Sequence, residues 1–141
     1  MSNPLLREVT ELTYTGARIV LEACVAKAAE MGVPQCVVVV DAGGHLLAFA
    51  RMDGAKVLSF FTAMQKAQTA ASSRSATGAA PQDFGVNLAL ASGSRVTNLK
   101  GGLPIMVKNH VVGAVGIGSG TGDQDVAVAE AGVDALLKTL G

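Results

Sequence analysis

The chain has 141 residues, of which 50% are hydrophobic, and it carries 11 basic and 11 acidic residues. This length and apolar content are enough for one domain with its own core, so a single domain over residues 1–141 is expected. The charge is balanced and contains no basic run, which excludes the electrostatic footprint that nucleic-acid binding requires. Nucleic acid is therefore not an expected partner.

The hydropathy pattern predicts a protein without a membrane partner. The first residues lack the charged and apolar regions of a secretory signal, and no apolar run approaches the roughly 20 residues of a spanning helix. We therefore expect a soluble, cytoplasmic protein. Charged residues make up only 16% of the chain, which is low for a surface wetted on all sides, so a homo-oligomer, a dimer or larger, is also expected.

The first third of the chain predicts a helix followed by a hairpin. Apolar residues recur at helical spacing over residues 4–31, and Gly32 ends the pattern. The Val-rich run 35–41 and the apolar run 45–52 flank the turn residues 42–44. Two short apolar runs separated by such a turn indicate a β-hairpin.

The middle of the chain predicts a second helix and a covering segment. Residues 55–75 are rich in Ala, Leu, Phe, Met, Gln and Lys at helical spacing. Residues 76–94 are rich in Ser, Gly and Ala, and we expect a loop that covers part of the molecule, with a short helix near 81–90. A short strand is predicted over 95–99.

The last third predicts a second hairpin and a closing helix. Strands are expected over 103–107 and 111–117, and a glycine loop at 118–122 precedes a helix that continues to residue 140. Two hairpins favour an antiparallel sheet with helices packed on it over a doubly wound parallel sheet. The expected fold class is therefore α+β.

The glycine loop before the last helix is the strongest candidate for a ligand site. Glycines leave backbone N–H groups exposed, and the helix dipole adds positive potential there, so the loop is suited to a carboxylate or phosphate. Thr121 and Gln124 also have the spacing of a capping box, and both interpretations stay open. No P-loop or complete GxGxxG motif is present. The candidate ligand-binding residues are Gly118, Ser119, Gly120 and Thr121.

Four side chains are candidates for chemistry or anion binding elsewhere. Asp41 and His45 flank the first hairpin turn, where the carboxylate would orient the imidazole for acid–base work; a structural turn is the alternative. Lys66 lies among small apolar residues in the second helix. Three roles stay open for it: a nucleophile, a contact to a ligand, or one residue of a solvent-exposed edge of the helix. Arg51 ends the first hairpin as a candidate anion clamp.

Cofactor signals are weak. Cys24 and Cys36 form no CxxC motif and no Cys/His cluster, so both are expected to be buried hydrophobes and no metal site is predicted. No CxxCH motif is present, so any haem would bind non-covalently.

Several motifs, taken together and in order, resemble the GlcG/HbpS-like family and the C-terminal domain of PduO. The resemblance covers nearly the whole chain. The motifs are VVDAGGHL at 39–46, RMDG at 51–54, Lys66-Ala67, GGLPI at 101–105, GAVG at 113–116 and DQD at 123–125.

This resemblance implies a profilin-like fold, with a five-stranded antiparallel sheet flanked by helices and assembly into oligomers. It also adds Gly101 and Gly102 to the candidate ligand-binding residues. Some relatives bind haem, while others lie among genes for the catabolism of small hydroxy acids. The chain departs from the usual family pattern after Gly116, where it has Ile-Gly-Ser-Gly-Thr-Gly.

Two functional hypotheses follow, beside a scaffolding oligomer without chemistry. The first is a small-ligand-binding protein, with haem or a related tetrapyrrole as the candidate ligand and Arg51, Lys66 or the glycine loop meeting its propionates. The alternative is a small catabolic lyase, isomerase or hydrolase acting on a carboxylate, with Lys66, Asp41 or His45 as acid–base groups. The expected partner is a small anionic molecule or haem.

Overall fold

The computed structural model describes residues 3–141, so Met1 and Ser2 of the predicted domain lie outside it. Within the described residues, four helices and four strands alternate in pairs, and both predicted hairpins and the predicted short third helix are confirmed. The elements are α1 (Tyr14–Met31), β1 (Cys36–Asp41), β2 (Leu46–Arg51), α2 (Ser59–Ser73), α3 (Gln82–Ala91), β3 (Gly102–Val107), β4 (His110–Gly118) and α4 (Gly122–Leu140).

The sheet has four strands in the order β2-β1-β4-β3, and every neighbouring pair is antiparallel. The α+β class is confirmed, but the expectation of five strands is wrong because residues 95–99 form none. Side chains take up the backbone groups of this segment: Val96 N–H donates to Ser92 Oγ and Thr97 N–H donates to Thr69 Oγ1. Those bonds hold it against α2 and the end of α3.

Strand β1 separates two apolar cores. Val37 and Val39 lie in the core formed with α1 and α4, whereas Val38 and Val40 lie in the core formed with α2. Alternate residues of a strand face opposite sides of the sheet. The sheet is therefore covered on both faces, and this double burial explains an unbroken run of valines where an exposed sheet would alternate with polar residues.

Helix α1 is shorter than the sequence pattern predicts. It begins at Tyr14 because the Thr13 hydroxyl caps it, accepting from Gly16 N–H at 3.1 Å. Leu5 and Val9 continue the helical spacing, but they are 87% and 60% exposed and lie outside any helix. Gly32 ends α1 as predicted, in the left-handed conformation with φ of 70°.

Helix α2 rests directly on β3 and β4 because both strands present glycines to it. A Cβ at Gly116 would clash with the Ala63 carbonyl oxygen, and one at Gly118 would lie 2.8 Å from the Ser59 carbonyl oxygen. The helix contributes mainly alanines to this contact. The backbones of helix and sheet therefore meet without a layer of large side chains between them. None of the helices in residues 3–141 is long and apolar enough to cross a membrane.

Candidate functional site

A buried ion pair joins α2 to α4. Lys66 Nζ lies 3.0 Å from Asp125 Oδ2, and the two side chains are only 5% and 3% exposed. The ammonium also donates to the Ile117 carbonyl oxygen at 2.7 Å, while Asp125 Oδ1 accepts from Gly120 N–H at 3.1 Å. Burial of this depth is affordable only with such hydrogen bonds on both partners.

The pair crosses from one face of the sheet to the other past Gly101. Helix α2 covers one face and α4 the other, and Gly101 has a φ of +122° with no side chain in the way. A Cβ there would lie 3.1 Å from Lys66 Nζ. The structure thus brings together Lys66, Gly101 and Gly120 with Asp125 of the DQD motif. The Lys66 ammonium contacts protein groups inside the fold. The catalytic role of Lys66 stays a prediction.

The polar groups of the glycine loop are largely used in hydrogen bonds within the protein. Gln124 N–H donates to Thr121 Oγ1 at 3.3 Å and Thr121 N–H donates to Gln124 Oε1 at 2.9 Å, which confirms the predicted capping box. Ser119 Oγ accepts from Lys56 N–H at 2.9 Å. Gly118 lies against α2, as does Gly102, whose N–H donates to Thr77 Oγ1 at 2.9 Å.

These glycines are therefore explained by packing and capping. Ligand contact through Gly101, Gly102 and the loop residues 118–121 stays a prediction.

The Asp41–His45 pair forms as the hairpin pattern predicts. Asp41 Oδ1 accepts from the N–H groups of Gly43 and His45 at 2.9 and 3.0 Å and lies 3.1 Å from His45 Nδ1. The imidazole is 81% exposed, so its other nitrogen faces solvent. One carboxylate thus stabilises the turn and orients the ring, and acid–base chemistry by Asp41 and His45 stays a prediction.

The predicted site residues do not form one cluster. Asp41 and Cys36 are the two ends of β1, about 17 Å apart at the usual rise per residue. Lys66 lies at the Cys36 end, since it bonds Ile117 close to the Cys36–Gly118 pairing. Arg51 pairs with Cys36 on the edge strand and makes no ion pair within residues 3–141.

Both cysteines are buried, as expected. Burial raises the pKa of the Cys24 thiol to about 12, partly offset by a hydrogen bond with the Gly132 backbone. Burial also raises the pKa of the Cys36 thiol, against the opposing charge of Arg51. No group of three or more metal-binding side chains occurs in the part of the chain that the structure describes.

A cavity of about 350 Å³ lies between α2, α3 and residues 94–99. Val86, Ala89, Val96 and Leu99 supply apolar walls, and the polar groups of the lining are uncharged. Much of the apolar surface of α3 is exposed to solvent. The exposed fractions range from 36% to 75% for Phe84, Val86, Leu88 and Leu90. No sequence motif marks these lining residues, although the segment 76–94 was expected to cover something.

A second cavity of about 300 Å³ lies on the other side of Val96. The Gly43–Gly44 turn forms one wall, and Thr69, Ser72 and Arg95 contribute polar groups. Among residues 3–141, Arg95 is the only charged residue that lines it. His45 belongs to the same turn, but it does not line the cavity.

Comparison with known sequences identifies relatives along most of the chain. The sequence model of the family described as haem degrading protein HbpS-like matches residues 12–134. An uncharacterized 15.0 kDa protein of the dhaT-dhaS intergenic region of Citrobacter freundii is 35% identical over 133 residues, covering 91% of this chain and 94% of the relative. GlcG of Escherichia coli K12 is 38% identical over 82 residues, covering 57% of this chain and 61% of GlcG.

Two solved structures share the fold. A double mutant of HbpS from Streptomyces reticuli has a TM-score of 0.85 at 31% identity, covering 96% of this chain and 94% of the other. A PduOC–haem complex has a TM-score of 0.82 at 26% identity, covering 89% of this chain and 95% of the other.

Proposed function

The chain belongs to the HbpS-like family, and from this membership we propose that it binds haem or a related tetrapyrrole non-covalently in the cavity between α2 and α3. The observation that carries the proposal is the cavity itself. Its volume of about 350 Å³ lies near the lower end of the range for small-molecule sites, and its walls include several apolar side chains. A relative of the same fold has been crystallised as a haem complex.

The cavity fits the macrocycle of a tetrapyrrole better than it fits the iron. Val86, Ala89, Val96 and Leu99 offer apolar contact to a planar ring, whereas the lining contains no imidazole, thioether or thiol. Strong axial ligation of haem iron uses such groups. The side-chain groups in the cavity that could coordinate iron are hydroxyl and amide oxygens, such as the hydroxyl oxygen of Thr97. We therefore expect binding to depend mainly on the ring and little on the metal.

Titration with haemin and with metal-free protoporphyrin IX tests this proposal. Both should bind saturably at one equivalent per chain, with affinities within about tenfold of each other, because the iron adds less than about 1.4 kcal/mol. Ala89→Trp fills the cavity and should abolish binding of both. Asn87→Trp is the matched control, since Asn87 is exposed on the same helix and does not line the cavity. Unchanged binding by Ala89→Trp would refute the site.

The second cavity favours one alternative, a lyase, isomerase or hydrolase that acts on a small carboxylate. Arg95 is exposed there without an ion pair in the described chain, and a guanidinium binds a carboxylate through two parallel hydrogen bonds. His45, oriented by Asp41, lies on the adjoining turn as a candidate base. Lys66 is buried elsewhere and would not reach this substrate.

Binding of succinate, followed by backbone amide NMR shifts, tests the alternative. Arg95→Gln should abolish the shifts at Gly43 and Gly44, whereas Arg7→Gln, which removes an equivalent exposed charge, should leave them unchanged. Shifts that persist in the Arg95 variant would exclude this cavity as the carboxylate site.

We also propose that a second copy of the chain covers the start of α2. Val57, Leu58 and Phe61 are 61% to 73% exposed there, and residues 57–65 contain no charged side chain. An uncharged apolar surface of this kind is typical of the centre of a protein interface. A homo-oligomer would bury it.

A further inference from the structure

Three polar side-chain atoms converge on Gly120, at the start of α4. A Cβ at Gly120 would lie 2.8 Å from Gln35 Nε2, 2.8 Å from Asp125 Oδ1 and 3.0 Å from Gln124 Oε1. A Cβ at Gly120 would therefore have no room, and the three side-chain groups lie close together in one region beside the buried Lys66–Asp125 pair. Sequence reasoning identified the loop but did not single out Gln35.

Gln35 is the unusual member of this group. Its side chain is fully buried, and neither Nε2 nor Oε1 has a hydrogen-bond partner within residues 3–141. The backbone is not in deficit, because the Gln35 carbonyl oxygen accepts from Met52 N–H at 3.0 Å. Buried amides in folded proteins almost always have partners, either protein groups or ordered water. The side chain thus points to a bound polar molecule.

We propose that this region holds one structural water molecule that bridges Gln35 to Asp125. The water accepts from Gln35 Nε2 and donates to Asp125 Oδ1, and its second hydrogen is available to an amide oxygen of Gln35 or Gln124. A carboxylate has about four lone-pair sites. Asp125 uses one for Lys66 and one for Gly120 N–H, so it can accept a further hydrogen bond.

The charges around the region favour water over an ion. The Asp125 carboxylate and the Gln124 amide oxygen would repel an anion. The Lys66 ammonium already neutralises Asp125 at 3.0 Å, so a cation would gain little there. A neutral molecule that both donates and accepts fits the donor and acceptors that remain, and buried waters typically make about three such bonds.

The water extends the ion pair to the sheet. Gln35 immediately precedes β1, Lys66 belongs to α2 and Asp125 to α4. One hydrogen-bonded chain would therefore connect the residue before β1 to both helical layers. This chain is independent of the proposed ligand cavity, whose lining contains none of these three residues.

Gln35→Met tests the proposal, because methionine keeps the length of the side chain and removes both its donor and its acceptor. If water bridges Gln35, the variant breaks the bridge and its Tm should fall by at least about 3 °C. If the amide is simply unsatisfied, methionine relieves the penalty and Tm rises, which overturns the proposal. Gln82→Met, at an exposed glutamine on α3, should shift Tm by less than about 1 °C.

A crystal structure of the unmodified chain gives a second test that does not depend on how the variant folds. Density for one water within about 3.2 Å of both Gln35 Nε2 and Asp125 Oδ1 is the expected result. A direct Gln35–Asp125 hydrogen bond, or no density between the two groups, would overturn the proposal.

Discussion

Breaking the buried ion pair should destabilise the fold severely. Lys66→Met removes the ammonium and leaves the Asp125 carboxylate, 3% exposed, with only the Gly120 N–H among its present protein partners. An uncompensated buried charge of this kind costs about 3–5 kcal/mol. For 141 residues at about 2.1 cal/mol/K each, that free energy corresponds to a fall in Tm of roughly 10 to 17 °C. Thermal and urea denaturation followed by circular dichroism measure it.

Two further variants separate the pair from general effects of substitution. The double variant Lys66→Met/Asp125→Leu removes both charges and should recover most of the loss, giving a coupling free energy well above about 1 kcal/mol. Lys100→Met breaks the ion pair between Lys100 and Asp123, whose side chains are 55% and 91% exposed respectively. It should lower the free energy of unfolding by less than about 0.5 kcal/mol. Equal costs for Lys66→Met and Lys100→Met would refute the assignment of Lys66 to a buried pair.

Three other predictions concern the caps, the surface and the thiols. Thr121→Ala removes the α4 cap and should lower the free energy of unfolding by about 1 kcal/mol, measured by urea denaturation. Phe61→Glu should convert the proposed homo-oligomer to monomer in light scattering, whereas Leu140→Glu, at a similarly exposed apolar residue on α4, should not; an oligomer that survives Phe61→Glu contradicts the proposed interface. Burial raises the pKa of Cys24 to about 12 in the folded chain, whereas an unfolded thiol has a pKa of about 8.5. Stability should therefore fall as pH rises over that range, and less so in Cys24→Ala.

The sequence was most informative where local chemistry decides the structure. The Thr121–Gln124 capping box, the Gly32 helix end and the Asp41–His45 turn each depend on residues a few positions apart, and the structure contains all three. The predicted start of α1, at residue 4, is too early because Leu5 and Val9 have helical spacing. Spacing alone does not distinguish a buried row of apolar residues from an exposed one.

Features that depend on distant residues were not predictable in this way. The strand expected over 95–99 is absent because Thr69, 28 residues away from Thr97, takes up its backbone N–H. Asp125, the partner of Lys66, is 59 residues away along the chain. The local sequence around Lys66 does not distinguish a lysine in an ion pair from a reactive one. Gln35 carries no sequence signal at all, since its burial depends on groups far along the chain, such as Gly120 and Asp125.

The glycines of β3 and β4 also explain where a ligand can bind. The sequence pattern favours a ligand at the glycine loop 118–122, before the last helix. Instead, Gly116 and Gly118 let the backbone of α2 rest on the sheet, and any side chain at Gly116 would meet Ala63. The backbones of α2 and β4 therefore meet directly at these two glycines. The cavity of about 350 Å³ instead opens on the flank of α2, where α3 and residues 94–99 line it. The same close packing that places Lys66 beside Asp125 thus moves the proposed binding site to residues that no motif marks.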